Sequence, residues 1–292
     1  MTPPSADPVT TASNELGSTQ PAISLVFIGQ KNFYTEFLID WLSTIVDVRG
    51  VIWTSSDRHT WQFRWRRWRQ RLKRGGLRRA ASEVLFHLYS RLRYSHDTRE
   101  IRHLVQQGRD KWQVPQREVP ALEVVNLKDR RVAAYLAEHR PDMLFTQCIN
   151  ELIPPAVFEF PPLGCYVFHE GVVPKYRGKF CTHWAIHNGD FDCIGATVLR
   201  VDRGFDSGSV AFVEPVFVHA SGRGHGWLEH ETLFLALPRL KSWLEDVGSG
   251  KLQLSDQGGQ FPIYSYPTVD HVFGAEAHKA AYDRWRQERQ KS

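Results

Sequence analysis

The sequence predicts an α/β fold, with a doubly wound, mostly parallel sheet covered by helices on both faces. Three observations lead there. "ISLVFIG", from Ile23 to Gly29, is an unbroken apolar, β-rich run that stops at a glycine, as strands buried on both faces do. "NFYTEFLIDWLSTI" follows with apolar residues at helical spacing, and "VRGVIWTS" reads as a second strand. The chain therefore opens with a βαβ unit, for which a right-handed crossover is expected.

The alternation breaks after that unit. From Arg58 to Arg93 twelve Arg or Lys residues face one acid, Glu83, and "WQFRWRRWRQRLKRGGLRR" interleaves tryptophan with arginine. This reads as a helical basic insertion over about 56–118, with helix continuing to about Asp110. Regular structure resumes with the strand "ALEVVNL", the helix "DRRVAAYLAEHR", the strand "DMLFTQCI", a helix from Pro154 and Pro155, and the strand "GCYVFH". Beyond a loop come the helix "CTHWAIHNGD", the strands "IGATVLRVD" and "GSVAFVEPVFV", and one long helix, "WLEHETLFLALPRLKSWLEDV". "GGQFPIYSYPTVDHVF" then precedes a charged terminal helix. The expected organisation is a disordered leader over 1–22, a domain over 23–250 that carries the insertion, and a short C-terminal extension over 251–292. There is no internal repeat.

Composition narrows the class. The chain has 292 residues, a net charge of +5, 42% apolar and 24% charged residues, the balance of an ordinary globular protein with a sizeable core. Cys148, Cys165, Cys181 and Cys193 form no CxxC pair and read as reduced thiols of a cytoplasmic protein. No apolar run is long enough for a transmembrane helix. The first 22 residues lack the basic and apolar regions of a signal peptide.

Ligands of doubly wound sheets bind outside the carboxyl ends of the strands. "DMLFTQCI" ends at Asn150 and Glu151, "GCYVFH" ends at His169, and "RGFDSGS" places Asp206 in a glycine-flanked loop after a later strand. A carboxylate beside an imidazole orients it and favours its charged form, so His169 and Asp206 are candidates for a proton-transfer pair.

The stretch "FHEGVVPKYRGKFCTHWAIHNGDFDCIGATVLRVDRGFDSGSV" resembles the core of the folate-dependent formyltransferases, which include glycinamide ribonucleotide, methionyl-tRNA and sugar-nucleotide formyltransferases. His169, Pro174, Tyr176-Arg177-Gly178, Trp184-Ala185-Ile186, Asn188-Gly189, Gly195 with Thr197, and Asp206-Ser207-Gly208 follow the family's order. The likeness is clear from about Leu122 to Val216 and extends to the strand-helix-strand from Ile23 to Ser55. It leaves out the basic insertion and the tail. It implies a Rossmann-like formyltransferase fold and transfer of a formyl group from 10-formyltetrahydrofolate to an amine. His169 would shuttle protons around the tetrahedral intermediate, with Asp206 sustaining its charge. Leu152, Ile153 and the loop carrying Arg200, Val201, Asp202, Gly204 and Phe205 would cradle the pterin. Glu170, Tyr176, Arg177 and Thr197 are the expected substrate-side residues: Glu170 reads as an ammonium binder, a second base or a solvated loop carboxylate, and Tyr176 and Arg177 as fixing the loop, with Arg177 open to a substrate carboxylate or phosphate.

One family position departs. The asparagine two residues before the histidine, a donor to the developing oxyanion, is Val167 here. Losing such a donor costs about 10²–10³ in rate. Asn150 is the expected replacement, with Gln147 a second candidate. The alternatives are altered, folate-independent acyl transfer, condensation or cyclisation through His169 and Asp206, or a binding module working through the basic insertion. No metal is expected; His183 and His187 share a helix face but lack the glutamate of a zinc motif. "SGRGHG" reads as a flexible loop. The expected partners are a small-molecule amine and an acidic carrier protein or anionic surface at the Arg/Trp stretch. Transfer RNA is disfavoured, because too little chain follows the last core helix for an appended β-barrel.

Overall fold

The computed structural model describes residues 23–55, 65, 69, 76–77, 81–82, 84–259 and 261–291. The expected disordered leader, 1–22, and most of the Arg/Trp stretch lie outside the described residues. A seven-stranded sheet runs, edge to edge, β3 (Ala121–Val124), β2 (Asp47–Thr54), β1 (Ser24–Gly29), β4 (Met143–Gln147), β5 (Cys165–Glu170), β7 (Gly195–Arg200) and β8 (Val210–Pro215). The first five pair in parallel. β7 runs antiparallel to β5, and β8 antiparallel to β7. The expected doubly wound, mostly parallel sheet is what forms.

β1 is buried at all six positions because helices cover both of its faces. Successive side chains of a strand point to opposite faces. Accordingly Leu25 and Phe27 join one apolar cluster while Val26 and Ile28 join the other. The larger cluster lies under α1 (Phe33–Leu42), α2 (Asp97–Trp112), α5 (Cys181–Asn188), α6 (His225–Leu235) and α7 (Leu237–Gly248). The smaller lies under α3 (Arg130–His139) and the single turn α4 (Pro155–Phe158). Each fully buried Phe or Leu in these layers contributes roughly 1.5–3 kcal/mol by leaving water.

α1 starts where Asn32 accepts hydrogen bonds from the Tyr34 and Thr35 N–H groups and Thr35 returns one to Asn32. This reciprocal cap satisfies donors that the first turn leaves orphaned. The region read as insertion ends in structure belonging to the domain. α2 is part of the crossover from β2 to β3 and packs on α1 and α6, with Ile101 and Val105 buried. The single long helix expected over 227–247 is instead two, α6 and α7, meeting at Ala236. Pro238 has no N–H, and inside a continuous helix its ring would press on the Phe234 carbonyl. No helix among the described residues is long and apolar enough to cross a membrane.

The C-terminal residues return to the sheet's ligand end. β9 (Ile263–Tyr264) pairs in parallel with β6 (Arg177–Gly178). Gly178 is required there: its φ is +102°, and a Cβ would lie 2.1 Å from the Tyr264 carbonyl oxygen. α8 (Val269–Arg289) packs against α5, with Gly274 so close that a Cβ would stand 2.6 Å from the His187 ring. His278 Nδ1 reaches the His187 carbonyl at 2.8 Å.

Candidate active site

Strand order reverses between β1 and β4, and that switch point is where doubly wound sheets hold ligands. A cleft of about 560 Å³ opens there and extends past the end of β5 to the 200–207 loop. His169 stands one residue before the end of β5 and is 7% exposed. Its Nε2 lies 3.1 Å from the Tyr176 carbonyl oxygen, to which it can donate, and 3.6 Å from Cys181 Sγ. Its Nδ1 faces Asp206 Oδ2 at 3.8 Å. One ring nitrogen is thus held by the loop, and the other faces a carboxylate at the cleft.

Asp206 is fixed from three directions. Its Oδ2 accepts from the Gly178 N–H at 2.9 Å, its carbonyl accepts from Gln257 Nε2 at 3.0 Å, and its backbone holds a left-handed φ of +49°. Gln257 also donates to the Gly208 carbonyl at 2.8 Å. Inside the same loop Asp202 accepts from the Gly204 N–H at 2.9 Å and from Ser207 Oγ at 2.8 Å. The loop therefore presents a set backbone to the cleft.

Leu152, Ile153, Arg200, Val201, Asp202, Gly204 and Phe205 all line the cleft. Leu152 and Phe205 are exposed, whereas Ile153 is buried in the smaller apolar cluster. Asn150 lines it too, exposed, with its side-chain oxygen accepting from Lys179 Nζ. Glu170 reaches the cleft but is buried, each carboxylate oxygen accepting a backbone N–H, from Cys181 at 2.9 Å and Thr182 at 2.6 Å. Burial, and then the charge of Glu229, push its pKa up.

Three expected substrate-side residues are not in the cleft wall and act on the loop instead. Tyr176 is fully buried, stacks on Tyr264 with centroids 5.2 Å apart and hydrogen-bonds Asp190. The Arg177 guanidinium donates to the Phe261 carbonyl at 2.6 Å. The buried Thr197 hydroxyl donates to the Gly171 carbonyl at 2.6 Å. Their polar groups are engaged by the protein itself, apart from Arg177 Nε, which is buried without a hydrogen-bond partner among the described residues.

Sequence reasoning passed over several wall residues. Thr146 is the register partner of Val167, and its buried hydroxyl has no hydrogen-bond partner among the described residues. Gln147, already a candidate donor from the sequence, is 4% exposed and has its Oε1 in the same condition. A second polar residue beside it at the end of the buried run "MLFTQ" was the available signal for Thr146. Glu229 and Tyr264 come from α6 and β9, where no local pattern marks them.

Residues 95–231 match the family model described as formyl transferase. A methionyl-tRNA formyltransferase of Kosmotoga olearia is 34% identical over 130 residues, covering 44% of this chain and 41% of that protein. One from Pelotomaculum thermopropionicum is 30% identical over 149 residues, covering 51% and 47%. The chain thus matches less than half the length of these curated relatives. A 4-N formyltransferase structure from Francisella tularensis aligns with a TM-score of 0.51 at 12% identity, over 89% of this chain and 88% of the other. Glycinamide ribonucleotide transformylase 1 from Symbiobacterium toebii gives 0.51 at 14% identity, over 82% and 96%. At such identities the likeness is one of fold. The relatives correct one expectation: disfavouring tRNA does not stand, since the curated proteins matched are methionyl-tRNA formyltransferases.

Proposed function

Because the chain carries a formyl transferase domain over residues 95–231 within the fold of that superfamily, we propose that it is an N-formyltransferase drawing on 10-formyltetrahydrofolate. The observation that carries this reading is His169 Nδ1 facing Asp206 Oδ2 at the mouth of the switch-point cleft. The cleft suits the donor. It combines a backbone-presenting loop at 200–207 with apolar wall from Val167, Leu152 and Phe205, as a flat heterocycle with edge hydrogen bonds requires. When bound, 10-formyltetrahydrofolate supplies an activated formyl group.

The chain's own residues do the rest. His169 takes the amine's proton at Nδ1, because Nε2 is held by the Tyr176 carbonyl, and returns it to the folate nitrogen that departs as the formyl group moves to the amine. Asp206 stabilises the imidazolium so formed, and the Gly178 N–H keeps that carboxylate in place. Val167 offers no donor to the oxyanion that forms as the amine attacks. Thr146, paired with it across β4 and β5, has an uncommitted hydroxyl on the same face and takes that role in this reading. Asn150 remains the second candidate, its amide Nδ2 being turned from the Lys179 contact made by its oxygen.

The acceptor is an amine. A small biosynthetic intermediate is one reading, and the cleft volume suits a folate head and one compact amine-bearing group. Methionyl-tRNA is the second reading, brought in by the names of the curated relatives. Calorimetry with a reduced folate, followed by mass spectrometry of N-formyl products from a panel of small amines and charged tRNA, tests both. Folate binding and one formylated class are expected; absence of reduced-folate binding overturns the reading.

A further inference from the structure

The cleft has two walls of different chemistry. Thr146 and Val167 alternate with residues of the larger apolar cluster and so face the α3–α4 side, while His169 turns Nδ1 to Asp206 and Nε2 to the Tyr176 carbonyl. Gln147 and Glu170 point the other way. Each lies two residues beyond a phenylalanine of the larger cluster, Phe145 and Phe168, whose rings are 6.3 Å apart. α6 covers that face and brings Glu229 to the cleft.

The acceptors of this second wall lack a countercharge or a donor. Glu170 is 7% exposed, and its two backbone partners supply hydrogen bonds but no countercharge. Glu229 takes part in no hydrogen bond or ion pair found among the described residues, and its charge acts on Glu170 and on Tyr34. Gln147 Oε1 is buried without a partner, independently of either carboxylate. Two carboxyl groups facing one cleft disfavour each other's charged form, and a buried acceptor left unpaired costs about 1–3 kcal/mol. A ligand bringing N–H donors and positive charge relieves both.

We propose that Gln147, Glu170 and Glu229 form a subsite for a cationic group of the acceptor, an ammonium or guanidinium separate from the amine that takes the formyl group. The separation follows from chemistry. Neighbouring carboxylates keep an ammonium protonated, whereas an attacking nitrogen must present its lone pair. The reacting amine therefore belongs beside His169 Nδ1 and the second cation beside the carboxylates. Calling the occupant an acceptor rests on the formyl-transfer reading; the binding of a cation does not.

The test is calorimetry on the full chain at fixed ionic strength with two probes of equal length, 1,4-diaminobutane and butane-1,4-diol, of which only the first carries ammonium groups. The diamine should bind at least about tenfold more tightly, about 1.4 kcal/mol. Glu229→Gln should abolish that preference and Glu170→Gln should weaken it, while His169→Ala should keep it. Thermal melts verify that each variant is folded, and Glu229→Gln suffices if the buried Glu170 variant is not. Equal binding of the probes, no diamine binding, or a preference that survives Glu229→Gln overturns the subsite. Tetrahydrofolate binding on the same samples separates the two claims. Folate bound without a diamine preference refutes the subsite alone, and a diamine preference without folate binding refutes the formyl-donor reading alone.

Discussion

Gln257 holds Asp206 by its backbone: Nε2 of the glutamine donates to the aspartate carbonyl at 3.0 Å and to the Gly208 carbonyl at 2.8 Å. Asp206 sits at a φ of +49°, a conformation that non-glycine residues keep only when their surroundings impose it. The clamp comes from the C-terminal segment, far from the histidine it serves. Gln257→Ala should therefore lower kcat roughly ten- to a hundredfold, the cost of a small misplacement, with reduced-folate affinity changed less. Steady-state kinetics and calorimetry on one preparation check it; an unchanged kcat would show that the loop holds without the clamp.

His169→Ala and Asp206→Asn should each lower turnover by about 10²–10⁴ while the protein still binds a reduced folate. The histidine variant removes the proton acceptor, and the aspartate variant leaves the imidazolium without its charge partner at 3.8 Å. Single-turnover rates at saturating folate provide the measurement. Full activity in either variant would place the proton transfer elsewhere.

Thr146→Val should cost about 10²–10³ in rate if its hydroxyl is the oxyanion donor, with little change in the Michaelis constants. Val167→Asn should then restore activity in the Thr146→Val background, since the two positions are register partners on one face. The double variant is the decisive sample. Failure of asparagine to rescue it, with folding intact, counts against an oxyanion donor at this pair.

Stability should vary with pH through Glu170, whose pKa burial and Glu229 push up to about 8. An unfolded glutamate titrates near ~4.3. Between those values the folded chain keeps a proton that the unfolded chain has lost, so stability falls as pH rises through the window. His183 and His225 act oppositely. Burial lowers both, so their contribution is lost as pH falls below about 6.5. The difference in Tm between wild type and Glu170→Gln isolates the glutamate. It should shift against the wild type from about pH 5 to 8; parallel curves would show that Glu170 ionises normally.

The sheet and its central site were legible because their signals are local. The apolar run of β1, the helical spacing of α1 and the motif around His169 each lie within a few residues. The break at Ala236 was also local, but the apolar periodicity on both sides of Pro238 masked it. What stayed hidden depends on distant contact. Nothing near Gln257 announces Asp206, 51 residues earlier, and nothing in "WLEHE" announces that Glu229 lines the same cleft as Glu170. Thr197 and Tyr176 were misplaced for a related reason. A buried polar group is equally compatible with a ligand and with a carbonyl of its own loop, and only the fold decides between them.

The pairing of β6 with β9 has a consequence for biosynthesis. The sheet through β8 is complete in sequence by Pro215, yet Gln257 and the Ile263–Tyr264 strand that close the cleft come some forty to fifty residues later. A chain still on the ribosome can have every strand of the sheet synthesised while the Asp206 loop lacks the clamp. The cleft is therefore completed late in translation, and proteolytic clipping ahead of residue 257 would remove the clamp, the closing strand and the core residue Tyr282 together.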